Sequence, residues 1–272
     1  MPFNYEQSIW GRGEADLAWS SPTSFRLRQA LFALKNLQEN SKILEVGCGA
    51  GQFVRAIKKT LPDAQCLGCD VSRRAVEEAN KLNDGVEYTV SESARLPFAD
   101  SSLDAVLVFD VLEHAQDVDG LLAEINRVLK KDGIFYCFVP CENDLLSFWK
   151  ILRSVNIGKD LTKKYAGHIN YFSRESIIVA LKGNGFQIVK LRYSDHILGQ
   201  LVGVISFFLM DRASKKQGGT QINNEQYFEE RKNYLGQFGI YIKKIVNSLI
   251  FIESTIMSIR LSPNIHIISK KI

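Results

Sequence analysis

The sequence predicts an α/β fold, a doubly wound and mostly parallel sheet with helices on both faces. Three observations carry that expectation. Between residues 41 and 140, short apolar runs alternate with stretches of helical period. The run Ala105-Val106-Leu107-Val108-Phe109 is unbroken, as a strand covered on both faces requires. Residues Ile43 to Phe53 read as a strand, a glycine turn and a helix start, the arrangement that cradles nucleotide-like ligands. Gly47, Gly49 and Gly51 keep Cβ atoms out of the way of such a ligand. The spacing is G-x-G-x-G, and Gln52 stands where a dinucleotide loop has its third glycine.

The elements follow in order. Residues 1–36 form an N-terminal arm and helix. The arm is polar with scattered aromatics (Phe3, Tyr5, Trp10, Trp19) and reads either as a loose tail or as a cover over a site. Leu27, Leu31 and Leu34 recur at helical spacing within Ser24 to Leu37. Lys42 to Val46 is the first strand, and the helix Gln52 to Thr60 ends before Pro62. Gln65 to Asp70 is the second strand, and Ser72 caps a helix reaching Lys81. Val86 to Ser91 and Ala105 to Asp110 are the third and fourth strands. A helix from Val118 to Leu129 stops near Asp132-Gly133, and Ile134 to Val139 is the fifth strand. Further helices are expected over Trp149 to Val155 and, capped by Ser173, over Arg174 to Asn184. Gln187 to Arg192 is the sixth strand and Ile265 to Lys270 the last.

Residues 195–263 interrupt this pattern as a mostly helical, apolar insertion. Ile197 to Met210 is strongly apolar but short of the roughly 20 residues of a comfortable membrane span. A polar linker follows from Lys215 to Asn224, then a charged helix from Glu225 to Tyr234. Ile240 to Ile259 carries an amphipathic stripe through Ile242, Ile245, Val246, Leu249, Ile252, Ile256 and Ile259. Two readings stay open: a peripheral membrane contact or greasy lid through 197–259, or a cap packed on the core or on a second subunit.

With 34 basic and 30 acidic residues, the net charge of +4 is too mild to argue for nucleic acid. Five cysteines and the absence of a signal peptide before Phe3-Asn4-Tyr5-Glu6 suggest a reducing cytoplasm. The peripheral reading would place the chain at the inner face of a membrane. Cys66 and Cys69 are spaced C-x-x-C, but within a strand residues three apart face opposite ways. Buried thiols rather than a metal site are expected for them and for Cys137 and Cys141.

Polar groups at the carboxyl ends of the strands define the candidate site. Glu45 precedes the glycine loop, where a carboxylate suits a cationic ligand better than a pyrophosphate. Asp70 ends the second strand about 20 residues past the loop, where an acid can take both hydroxyls of a ribose. Glu92 and Ser93 follow the third strand and can bond an adenine edge. Asp110 ends the fourth. Each alone reads as a helix cap or a solvated carboxylate; four at successive strand ends point to a ligand.

These residues carry a resemblance. Ile43 to Phe53, Asp70, the run from Glu92 to Asp104, the run Val111-Leu112-Glu113-His114 and the segment Glu124 to Gly133 are similar to class I S-adenosylmethionine-dependent methyltransferases. The nearest subgroup is the small-molecule type that includes ubiquinone-pathway enzymes. The resemblance implies a Rossmann-like core over 37–194, completed by an antiparallel final strand within 264–272. It implies that Glu45, Gly47, Cys48, Gly49 and Gly51 approach the methionine part of the cofactor. Asp70 and Val71 would hold the ribose, Glu92 and Ser93 the adenine, and Asp110 and Val111 would lie beside the sulfonium. The family position matching Glu92 is more often Asp. The expected reaction is in-line methyl transfer to an oxygen, nitrogen or carbon of a small-molecule acceptor, apolar or lipid-linked in view of the insertion. His114 is the first candidate for a base, with His168 and Tyr171 on the segment that can reach over the cofactor. His196 and His266 have no such context. The competing readings are a cofactor-binding regulatory protein without turnover, and a nicotinamide-dependent oxidoreductase, against which the missing third glycine and Glu45 argue. Acceptor identity and oligomeric state are not encoded in any motif.

Overall fold

The computed structural model describes residues 4–6, 9–17, 20–91, 95–216 and 224–272, with backbone alone over 224–238. The alternating half of the chain forms parallel strands β1 (Lys42–Val46), β2 (Gln65–Asp70), β3 (Glu87–Val90), β4 (Leu103–Phe109) and β5 (Leu129–Pro140). β6 (Phe186–Ser194) and β7 (Asn264–Lys271) complete a seven-stranded sheet of order β3-β2-β1-β4-β5-β7-β6. β7 is antiparallel to both of its neighbours, as expected. The order reverses between β1 and β4, and a doubly wound sheet opens its ligand crevice at that reversal.

The unbroken apolar run in β4 feeds two cores. Val106 and Val108 face one side with Leu44, Phe135 and Ile267, under α4 (Val118–Val128) and α7 (Arg174–Gly183). Ala105, Leu107 and Phe109 face the other with Ile43 and Phe138, under α1 (Pro22–Leu34), α2 (Gln52–Thr60) and α3 (Arg73–Asn80). Phe53 of α2 stacks on Phe109 at 4.0 Å, fixing the helix that follows the glycine loop. Cys66 and Cys69 fall into opposite cores, and burial pushes their thiols up to about 11 and about 12. All five cysteines are free and buried.

Several boundaries differ from the sequence reading, each for a local reason. α1 starts at Pro22 because Ser21 and Ser24 form a reciprocal capping box ahead of it. α4 ends at Val128, and Lys130 to Gly133 become an irregular start of β5, where the register with β4 shifts and Asp132 takes φ 60°. α5 (Phe148–Ser154) lies one residue early, and α6 (Leu161–Tyr165) was not foreseen, being too short to show a period. α8 runs from Ile197 to Lys216, so its 20 residues reach the length of a membrane span that the apolar run alone lacked. The charged segment and the amphipathic one are not separate: α9 is continuous from Asn224 to Met257.

The insertion does not pack its apolar stripe on the core. α9 turns Ile242, Ile245, Leu249, Ile252 and Ile256 outward, between 47% and 75% exposed, and buries Ile250 and Ser254 instead. α9 packs on the core through its other side, Phe251 lying 6.2 Å from Phe25 of α1, and leaves this stripe uncovered by the described residues. α8 has the same inverted pattern, with Leu201, Ile205 and Leu209 exposed and Ser206, Ala213 and Ser214 buried.

Candidate active site

The glycine turn is built by close approach. Gly47 has φ 72°, and a Cβ there would run into the Val111 side chain. Gly49 has φ 53°, and a Cβ there would collide with the carbonyl oxygen of Trp10. Both positions therefore require glycine on conformational and steric grounds. The turn is tied to β2 by Gly47 and Cys48, whose N–H groups donate to the Cys69 carbonyl at 2.7 and 3.0 Å. Asp70 accepts from the N–H of Gly49 at 2.7 Å and of Ser72 at 2.8 Å. One carboxylate thus holds the glycine loop and the entry to α3. Burial raises its pKa, against the two backbone donors that stabilise its charge. Each carboxylate oxygen accepts more than one hydrogen bond, so Asp70 retains capacity for ribose hydroxyls.

Glu45 has a different task from the one its position suggested. Its carboxyl is fully buried and accepts from the Val54 N–H at 2.7 Å, satisfying one of the open donors in the first turn of α2. Burial pushes its pKa up to about 8, so it is a mostly neutral brace rather than a counter-ion at neutral pH. Cys48 is buried beside it, its sulfur within the α2 core. Val71 is exposed on the rim of the crevice. Glu92 and Ser93 lie outside the described residues.

The N-terminal arm covers this loop. Trp10 accepts from the Ala50 N–H at 2.8 Å, and Ile9 is buried against Ala50 and Ala75. Glu6 accepts from the N–H groups of Arg73 and Arg74 and from the Ser72 hydroxyl, capping α3 from outside the helix. Arg12 pairs with Glu78 at 2.8 Å. Tyr5 reaches furthest, its ring edge-on to His114 at 6.0 Å. Burial and the charges of Glu113 and Asp70 push its hydroxyl up to about 12. Of the two readings of the arm, the cover is the one the described residues adopt; Phe3 and Trp19 lie outside them.

On the other side of the crevice, Asp110 closes β4 with φ 51° and accepts from Arg26 of α1 at 2.6 Å. Arg26 also lies 3.9 Å over the Phe138 ring. Sequence reasoning missed this arginine because its partner is 84 positions away. Val111 leads into the 3-10 turn Leu112–His114. Glu113, on that turn, is fully buried, and neither carboxyl oxygen has a hydrogen-bond partner. Burial, then the Asp110 charge, push its pKa up to about 8.

His114 and His168 come together, ring centroids 5.0 Å apart. The Gly167 carbonyl lies 3.2 Å from His114 Nδ1, so Nδ1 carries the proton and Nε2 the lone pair. Burial pushes His114 down to about 3, which keeps it neutral. His168 Nδ1 meets Glu142 at 2.6 Å. Burial would lower the imidazole, but the bond and charge of Glu142 raise it. Burial would raise Glu142, but His168 and Arg153 hold it below the usual carboxylate range, with Thr162 donating to it as well. Glu113, His114 and His168 bring donor atoms within 4.8 Å of one another, too far apart to share a proton but near enough to surround one cation. The sequence reading expected no metal, and it is the fold that brings these three donors together. Tyr171 is half-buried in the same network, with the Arg153 guanidinium 4.5 Å over its ring. The cap of α7 comes from Ser173, as expected.

Two histidines without sequence context also have structural work. His266 is fully buried between the Tyr136 hydroxyl at 2.8 Å and Ser194 at 2.9 Å. His196 is bound through Nε2 to the Arg260 carbonyl at 3.0 Å.

A glycine cradle and a ribose-ready acid at the switch point of this sheet, closed by an antiparallel β7, define a class of protein. Residues 44–137 match the family model described as a methyltransferase domain. One relative is the ubiquinone/menaquinone biosynthesis C-methyltransferase UbiE of Desulfotalea psychrophila, 28% identical over 59% of this chain and 70% of that one. Another is the sterol 24-C-methyltransferase of Candida albicans, 30% identical over 56% of this chain. The aligned part spans only 42% of that sterol enzyme's length. Among solved structures, the [4+2]-cyclase SpnF shares the fold over 97% of this chain and 86% of its own, with a TM-score of 0.59 at 15% identity.

Proposed function

We propose that the protein binds S-adenosylmethionine across the glycine loop and transfers its methyl group to a small, apolar or lipid-linked acceptor. The observation that carries this reading is Asp70, bonded to the Gly49 N–H while closing the strand next to the loop. An acid there can hold the ribose hydroxyls of an adenosyl group, and Gln52 in place of a third glycine argues against a dinucleotide's pyrophosphate. When bound, the cofactor supplies an activated methyl group on sulfur. The chain's own task is to hold an acceptor in line and exclude water. Tyr5 and the arm lie over the crevice from one side, and the segment from Glu142 to His168 closes it from the other.

His114 presents a neutral imidazole whose Nε2 lone pair is free of the backbone and can accept a hydrogen bond from an acceptor hydroxyl; held down at about 3, it positions the acceptor rather than taking its proton. His168, bonded through Nδ1 to Glu142, which favours its protonated form, is suited to steady a developing negative charge. Both named relatives are C-methyltransferases, of quinone biosynthesis and of sterols. Their names favour a carbon acceptor on an apolar molecule.

The test is calorimetric titration of S-adenosylmethionine and S-adenosylhomocysteine into wild type and Asp70→Asn. Losing a charge-assisted hydrogen bond costs about 1.5–3 kcal/mol, so roughly 10- to 150-fold weaker binding is expected in the variant. Folded wild type that binds neither ligand would overturn the reading. Binding without turnover on any quinone or sterol acceptor would turn it toward a regulatory role.

A further inference from the structure

We infer that the outer faces of α8 and α9 dock on the surface of an anionic lipid bilayer. Both helices bury few side chains, Ser206, Met210, Ala213 and Ser214 in α8 and Ile250 and Ser254 in α9, while a stripe of large aliphatic ones faces outward. An amphipathic helix orients its apolar stripe toward the less polar medium. Here that medium is outside the fold. The two helices are joined, because Glu253 of α9 accepts from the N–H groups of Ile197, Leu198 and Gly199 at the start of α8. α5 extends the surface, held to α8 by the Trp149–Phe207 ring contact at 5.4 Å and by Phe148 donating to Gln200. Its neighbourhood adds exposed Leu145, Ile151 and Val155. An apolar surface this extensive marks an interaction site.

Charge selects the occupant. Lys159 and Lys163 on and beside α6, and Arg212 and Lys216 on the last turns of α8, are exposed basic residues on the elements that carry or adjoin the apolar stripe of α8, and no acid within α6 or α8 is exposed. Basic residues around an apolar stripe match anionic headgroups around acyl chains. A second copy of the chain is a poorer match. A two-fold contact would set the same basic border against itself.

The helices lie in the interface rather than across it. α8 is long and apolar enough to cross a membrane, but one of its sides is sewn to the protein. Asp211 accepts from Tyr165 at 2.9 Å and pairs with Lys164 and Lys215, while Met210 and Ala213 pack on Leu161 and Tyr165. Only the outward side is free to meet lipid. The docking rests on these faces and is independent of the reaction proposed above, although the segment from α5 to His168 links the two places.

The experiment is flotation of the full chain with phosphatidylcholine vesicles, with and without phosphatidylglycerol, for wild type and the double variant I245E/I252E. Wild type should float with the anionic vesicles, less with the neutral ones, and less at high salt. The double variant should lose roughly tenfold or more of its partitioning, since two buried aliphatic contacts are replaced by charges that anionic lipid repels. Its melting temperature should not change, because both side chains are exposed in the free protein. A wild type that floats with neither vesicle overturns the inference, as does a double variant that floats as well as wild type. A wild-type dimer that does not float and that I245E/I252E converts to monomer assigns the face to a second copy instead.

Discussion

At the scale of single residues, the site is a set of close approaches that the glycine spacing announced and long-range pairs that it did not. Gly49 shows the first kind. Alanine there would have to adopt a left-handed backbone and displace the Trp10 carbonyl. The conformational cost alone is about 1–2 kcal/mol. Gly49→Ala should therefore lower the melting temperature by roughly 2–8 °C. It should also weaken cofactor binding, because it lifts the arm off the loop; a melting curve and a titration on the same sample check both. Unchanged values for both would mean that the arm does not rest on the loop in solution. The long-range pairs explain what the sequence could not show. Asp70 was visible because the strand-loop-strand distance is short and regular. Arg26 with Asp110, and Glu142 with His168, join positions 84 and 26 residues apart with no motif around them. Glu113 stood in plain view beside His114, yet only burial distinguishes it from a solvated acid.

At the scale of elements, strands were legible and helix ends less so. Strands declare themselves by unbroken apolar runs, and β1, β2 and β4 fall where those runs lie. Helix ends are decided by whatever satisfies their open N–H groups. Ser72, Ser173 and Asp117 do this locally and can be read from sequence. Glu6 for α3 and Glu253 for α8 do it through space, and cannot. The inverted faces of α8 and α9 belong here too: the period of the stripe was readable, but its direction depends on what the helix packs against. Glu253 gives this scale its prediction. Glu253→Ala leaves three backbone donors at the start of α8 without their carboxylate and removes a negative charge from the positive end of the helix. A loss of about 1–2 kcal/mol is expected, with partial recovery in Glu253→Gln, which keeps an acceptor oxygen. Chemical denaturation of the three proteins measures it. Equal stability of Glu253→Ala and wild type would show that water serves α8 as well as Glu253 does.

At the scale of the whole molecule, the buried acids and histidines set how stability follows pH. The carboxyls of Glu45 and Glu113 are each moved from 4.5 to about 8, mainly by burial. Between those values the folded chain holds protons that the unfolded chain has released, so these two groups make stability fall as pH rises. His168, raised by Glu142, acts in the same direction above its unfolded value of 6.5. His114 and His266, both lowered by burial, oppose them below 6.5, because there the unfolded chain takes up the extra protons. Glu142 and Asp144, both lowered, add stability that is lost in acid. The result is a plateau on the acid side of neutrality and a decline from about pH 6.5 to 8. Glu113→Gln isolates one contribution, because the amide has nearly the shape of the protonated carboxyl and does not titrate. Near the plateau, at about pH 5.5, its advantage over wild type should be small, and by about pH 8.5 it should reach on the order of 2–4 kcal/mol. Melting curves of both proteins at the two pH values read this as a gap that widens with pH. A gap of the same size at both, with the variant the less stable, would mean that Glu113 is ionised inside the fold.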